Sequence, residues 1–301
     1  IERHHEREGP IVRFKEENVN KSHKFVRKFY ETPVAPYVDK KWERPENLPI
    51  TKKAVYLLEG FRRGELSAGE VFDVKKMAMF FALTDLTGTH HGSIPKSVRF
   101  YYNPITSKLE PIPFDGHFGT IQQPILTSEM GITSSSWIYM YWREYFISFF
   151  NDPNRTDSEF VGAYISALRK VSSATYLDDF FNDTKDEFHQ ALLSLYSELP
   201  LEDHIASFGP LPFTFNKDIY YERSEYIKKK LSQPTVYAHL IEHNEEQVVV
   251  EVNRIDRQFP SEVLSLNCGE SILKPIPKTG KLVGTMPPNE TENHKVSFSL
   301  E

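Results

Sequence analysis

The sequence predicts an α+β protein in two unequal parts, and three observations predict it. Residues 1–233 hold successive stretches with apolar side chains at helical spacing, residues 234–301 turn to β-branched and alternating texture, and one hairpin signal at 98–114 interrupts the helical part. With 301 residues the chain is long enough for two domains, and 39% hydrophobic and 13% aromatic residues are enough to pack their cores.

Taken in order, Gly9-Pro10 marks a turn, and Ile11, Val12 and Phe14 predict a short strand. Residues 17–53 are charged and punctuated by proline, and read as an irregular excursion. From about Val71 to Leu86 the pattern is a helix, with Asp73 as its cap and Gly88 as its stop. Val71, Val74, Met77, Ala78, Phe81, Ala82 and Leu83 make a wide apolar face, and Met79 and Phe80 extend it nearly all round, which predicts a central buried helix.

A hairpin follows, with Val98–Tyr102 and Leu109–Phe114 as strands and Asn103–Lys108 as the turn. Residues 135–150 predict a second buried, aromatic helix, for which core packing is a stronger explanation than an exposed aromatic surface. Ser158–Ser172 and Thr184–Ser197 are amphipathic, the latter through Phe188, Ala191, Leu192 and Leu195. Asn216 caps a last helix that stops before Pro234. Beyond it, 236–241, 247–252, 258–264 and 296–300 read as strands of a small, partial β-sandwich. The chain opens on Ile1 and has a strand pattern at each end, which reads as an internal piece of a larger protein.

Charge narrows the function classes. Residues 1–65 hold 15 Lys+Arg against 11 Asp+Glu, a net of +4, so the remainder carries −10 of the overall −6. No strong basic stripe appears, which argues against nucleic acid as a partner. The single cysteine, Cys268, excludes an intrachain disulfide. The longest apolar run, Trp137–Phe150, is broken by Arg143 and Glu144 and is too short to span a bilayer, so no transmembrane segment is expected.

Chemistry concentrates between residues 85 and 119. A buried helix ends, a loop with His90, His91 and Ser97 follows, a hairpin crosses, and Asp115 leaves its second strand, with His117 two residues on. That order brings a helix end and a strand end together, a layout suited to phosphoryl transfer: a carboxylate orients the attacking hydroxyl while further oxygens hold magnesium on the phosphates. A different class is also open. His90, His91, Asp115 and His117 form a possible His/carboxylate set for zinc or another transition metal, as in a metal-dependent hydrolase. A third reading is a non-catalytic cell-surface binding module.

The segment Arg7-Glu-Gly-Pro-Ile, the run 71–119 and the distal stretch Val252–Leu264 together resemble the spore-coat protein H family of atypical kinases, with 99–119 the most specific block. The resemblance implies a mostly helical kinase-like lobe over 1–233 with the hairpin at its site, followed by the partial β-sandwich. It implies ATP and Mg2+ as cofactors, a protein substrate or coat and cell-surface partners, and a secreted, lipoprotein or envelope setting. Carried over residue by residue, Asp115 matches the first acid of a strand-end Asp-x-Asp and implies a metal ligand, while His117 occupies the second acid's position. Ser97 stands near the family's asparagine ligand and His91 near its catalytic aspartate, with Asp85 as the alternative base. Since three of these positions depart from the family's residue types, a pseudokinase is implied alongside an active kinase.

Overall fold

The computed structural model describes residues 7–15, 29, 32–37, 40–116, 124–131, 137–152, 154–198, 216–232, 236–254, 261–269, 271–276, 281–283 and 294–300. The protein is α+β, with antiparallel sheets. Strands β1 (Ile11–Phe14) and β2 (Val34–Pro36) come first, followed by helices α1 (Leu48–Arg63), α2 (Ala68–Val71) and α3 (Val74–Thr87). The hairpin β3 (Arg99–Asn103) and β4 (Lys108–Ile112) leads to α4 (Thr127–Met130), α5 (Trp137–Phe150), α6 (Ser158–Val171), α7 (Tyr176–Asp183), α8 (Lys185–Glu198) and α9 (Asp218–Ser232). The remaining strands are β5 (Val236–His243), β6 (Gln247–Arg254), β7 (Ser261–Val263), β8 (Leu266–Cys268), β9 (Ser271–Leu273), β10 (Pro275–Ile276), β11 (Lys281–Val283) and β12 (His294–Ser299).

Local chemistry sets the ends of α3. The Asp73 side chain accepts from the Lys76 amide at 3.0 Å, and Gly88 closes the helix in the left-handed region at φ +73°. The start of the helix is also tied to the hairpin, because the Asp73 amide donates to Leu109 O at 2.8 Å. The hairpin turn is fixed by Asn103, whose Oδ1 accepts from the Ile105 amide at 2.9 Å, while Ser107 takes a positive φ of 57°.

The sheet runs β2-β1-β3-β4. Its inner face, Val12, Phe14, Phe100, Tyr102 and Leu109, is buried in one core with α1, α3, α5 and α6. Phe149 of α5 sits at the middle of that core, with ring centroids at 4.7 Å to Phe61, 5.1 Å to Phe81 and 5.2 Å to both Tyr145 and Phe160. Such edge and tilted pairs add about 0.5–1.5 kcal/mol each beyond the burial of area. The aromatic run at 137–150 is thus a core element: Trp142, Tyr145, Phe146, Phe149 and Phe150 are all buried.

Two readings need correction. The stretch 17–53 is not irregular throughout. It contains β2, a 3-10 turn at Lys40–Glu43 and the first turns of α1. Pro49 near the N-terminus of α1 begins a helix rather than breaking one, and Ala54, Leu57, Leu58 and Phe61 are its buried stripe. The apolar face of α8 forms a helix without being buried: Phe188 is 38% exposed, Ala191 is exposed and Leu192 half-buried, while the Leu195 side chain lies outside the described residues. Phe188 lines an apolar cavity of about 430 Å3 with Leu83, Leu86, Phe180, Phe181 and Tyr220, between α3, α7, α8 and α9.

A second, separate hydrophobic cluster joins Val248, Val250 and Val252 of β6 and Val296 and Phe298 of β12, in the sheet β10-β12-β6-β5, to Leu273 of β9. β5 pairs with β6 through a register shift between Leu240 and Glu242. The remaining strands form two-stranded pairs, β11-β7 and β8-β9. The boundary expected near 233 falls at residues outside those described. Among the described residues, no helix is long and apolar enough to cross a membrane.

Candidate active site

The loop after α3 and the end of β4 meet. His90–Ser93 forms a 3-10 turn with its residues buried, and a methyl group placed on Gly92 would lie 3.0 Å from Gly116 Cα and 3.3 Å from Phe114 O. Only glycine permits this approach without displacing the strand end. Asp115 sits beside the turn in the left-handed region at φ +57°, unusual for a residue with a side chain, and its carboxylate is 49% exposed.

His91 spans this contact. Its Nδ1 lies 2.9 Å from Asp115 O and 3.2 Å from Asp115 Oδ2. A carbonyl oxygen only accepts, so Nδ1 carries the proton and donates to both oxygens. One imidazole therefore holds the backbone and the side chain of Asp115 together.

The adjacent histidine faces the other way. His90 is buried, and its Nε2 donates to Asp85 Oδ1 at 3.1 Å. Asp85 Oδ1 also accepts from the Thr127 amide at 2.7 Å and the Thr127 hydroxyl at 2.6 Å, and Oδ2 accepts from the Tyr164 hydroxyl. The carboxylate thus joins α3, the loop, α4 and α6. Burial, and then the neighbouring Asp85 charge, push the Tyr164 phenol well above its ordinary range. Arg223 of α9 completes the group. Burial lowers its pKa, opposed by the Asp85 charge and then by Tyr220. The guanidinium lies over Gly88, where a methyl group would come within 2.4 Å of its Cζ.

The predicted site residues therefore separate into two sets. His91 and Asp115 come together at the surface. Asp85 faces the interior, with its side chain fully buried and both oxygens accepting from protein donors, so an incoming hydroxyl does not reach it; this corrects its reading as the alternative base. Ser97 is buried in the turn into β3, where its amide donates to Ile94 O at 2.9 Å and its carbonyl accepts from Arg99 Nη1 at 2.8 Å. His117 lies outside the described residues. Arg99 Nη1 donates to the carbonyls of Lys96, Ser97 and Val98.

A magnesium ion on ATP needs oxygen ligands, commonly one or two carboxylates in addition to the phosphates. Where the 90–93 turn meets the end of β4, the described residues offer one solvent-facing carboxylate, that of Asp115, and its Oδ2 already accepts from His91. They fit a magnesium–phosphate centre poorly for that reason. Nor do they suit zinc: the two adjacent histidines diverge, and no three His, Cys, Asp or Glu among the described residues converge on a metal position. Thr127, Tyr164 and Arg223 are the participants that sequence reasoning missed, since nothing local marks residues so distant in the chain as partners of Asp85.

Set beside protein-family models, curated proteins and solved structures, the chain matches none of them.

Proposed function

We propose that this chain is a kinase-like lobe of the spore-coat-H type whose phosphoryl-transfer site is degenerate. In this reading residues 1–233 form the lobe and 234–301 a partial β-sandwich, and the protein binds coat or cell-surface proteins at the envelope or outside the cell. The observation that carries it is the His91 bridge to Asp115: a histidine near the position of the family's catalytic acid closes onto the one carboxylate that matches the family's metal ligand. Asp85, the other acid nearby, acts as a positioning residue through His90.

A second reading, that transfer from ATP to protein persists, draws support from the strained and half-exposed Asp115, since backbone strain gathers at working sites. Bound ATP and magnesium would supply the phosphoryl group and neutralise its charge.

Two measurements separate these readings. The degenerate lobe shows no thermal shift with ATP and Mg2+, and the double variant His91→Asp/His117→Asp, which restores the family's acids, gains one. A double variant that folds and still ignores ATP and Mg2+ argues against the kinase-like lineage. Phosphate transfer by the unaltered chain to a protein acceptor, abolished by Asp115→Asn, would establish the second reading.

A further inference from the structure

We propose that the outer face of the sheet β2-β1-β3-β4 is a recognition surface for an extended, acidic polypeptide segment, with Arg13 and Arg99 as its cations and Tyr37 and Phe114 as its aromatic plates. This goes beyond the kinase-like reading and does not depend on it.

The register brings the cations together. β1 and β3 pair Ile11 with Tyr101 and Val12 with Phe100, and continuing one step sets Arg13 opposite Arg99. Like charges directly opposite on neighbouring strands destabilise a sheet. Tyr37 eases the repulsion, since both guanidinium carbons lie 5.3 Å from its ring centroid. Phe114 extends the ladder, with Arg99 5.2 Å from its centroid. The two rings are 41% and 55% exposed, so the ladder reaches solvent. It ends at Phe114, the residue before Asp115.

The two arginines have different parts. Arg99 is held in place, since its Nη1 donates to three carbonyls at 2.8, 2.8 and 3.0 Å. The Arg13 guanidinium makes no hydrogen bond or ion pair among the described residues, and its Nε is enclosed without a partner. A planar cation with open donors favours a carboxylate, which it meets with two parallel hydrogen bonds.

Geometry selects the kind of anion. The ladder runs Arg13, Tyr37, Arg99, Phe114, in three steps of 5.3, 5.3 and 5.2 Å. A single small anion reaches one or two neighbouring rungs and leaves the rest of the ladder uncovered. An extended polypeptide sets alternate side chains on one face about 6.6–6.8 Å apart, a spacing that two guanidiniums flanking one tyrosine ring can match. The exposed rings would then cover the aliphatic stems of acidic side chains.

The test is fluorescence anisotropy on the whole chain, with a labelled peptide of about 12 residues carrying glutamate at alternate positions and its glutamine counterpart. The glutamate peptide binds, more weakly as salt rises, and the glutamine peptide does not. Arg13→Gln weakens binding about tenfold, the usual scale for one charged contact. Arg13→Lys gives a smaller loss by keeping the charge without the plane. Equal binding of both peptides, or an Arg13→Gln variant that binds as well as the original, overturns the proposal. So does displacement of the peptide by equimolar inorganic phosphate, which would mark a small-anion site. Self-association that Arg13→Gln abolishes, without peptide binding, would give the surface to a second copy instead. Circular dichroism checks folding, and Tyr37→Leu, at an exposed ring, carries the test if the Arg13 variants unfold.

Discussion

His90 and His91 are neighbours in the chain, and each donates to an aspartate, yet the two pairs belong to different physical regimes. The His90–Asp85 pair is sealed in the interior, where its carboxylate gathers four donors from two other helices, α4 and α6, and the loop, with Arg223 close by. The His91–Asp115 pair lies at the rim, where half of the carboxylate faces water. In the interior a missing partner strands a polar group that water cannot reach, so each bond matters to stability. At the rim water replaces a lost bond, so the same chemistry contributes little to stability and remains available for binding. The turn at 90–93 joins the two regimes, and this makes the inner pair a support for the outer one.

The comparison is tested most severely at Asp85. Asp85→Ala leaves the Thr127, Tyr164 and His90 donors without their acceptor and Arg223 without its counter-charge; the expected loss is about 3–5 kcal/mol. Urea unfolding measures it, and a loss below about 1 kcal/mol would erase the distinction between the pairs.

Tyr164→Phe comes next, with an expected loss of about 1.5–3 kcal/mol for one hydrogen bond to a charged group. Tyr164 also predicts a pH response. Folding holds its phenol well above the ordinary value, as burial alone does for Tyr145. The resulting contribution is intact below about pH 10 and lost as pH rises further, because the unfolded chain ionises first. The melting temperature therefore falls above about pH 10, less steeply in a Tyr145→Phe/Tyr164→Phe variant. Equal slopes would show that these phenols do not govern the alkaline limit.

The smallest effect is expected at the rim. Asp115→Asn costs less than about 1 kcal/mol, because its side chain is half-exposed and the hydrogen bond it weakens is partly solvated. Amide exchange at 114–116 quickens in that variant while exchange in α3 stays unchanged. Quickening in α3 as well would mean that the two pairs are coupled more strongly than their burial implies.

The cap and stop of α3 were legible because both are written locally, whereas its expected start at Val71 belongs to the separate short helix α2. Asp73 supplies the cap, and Gly88 reaches a φ that costs other residues energy. The hairpin was legible for the same reason, through the turn chemistry of Asn103. α1 was not legible because lysines, arginines and a proline interleave its buried stripe of Ala54, Leu57, Leu58 and Phe61. At the site, the meeting of the 90–93 turn with Asp115 follows from element order alone. The inward aim of Asp85 does not, because three of its partners come from distant elements and long-range pairing leaves no periodic trace in a single sequence.

The flat seat that Gly88 provides for Arg223 has a consequence in time. During synthesis, at about 5–20 residues per second, the end of α3 leaves the ribosome many seconds before α9 is made. Until then Asp85 lacks its guanidinium neighbour, and the nascent protein carries a half-assembled joint that only its late helix can close.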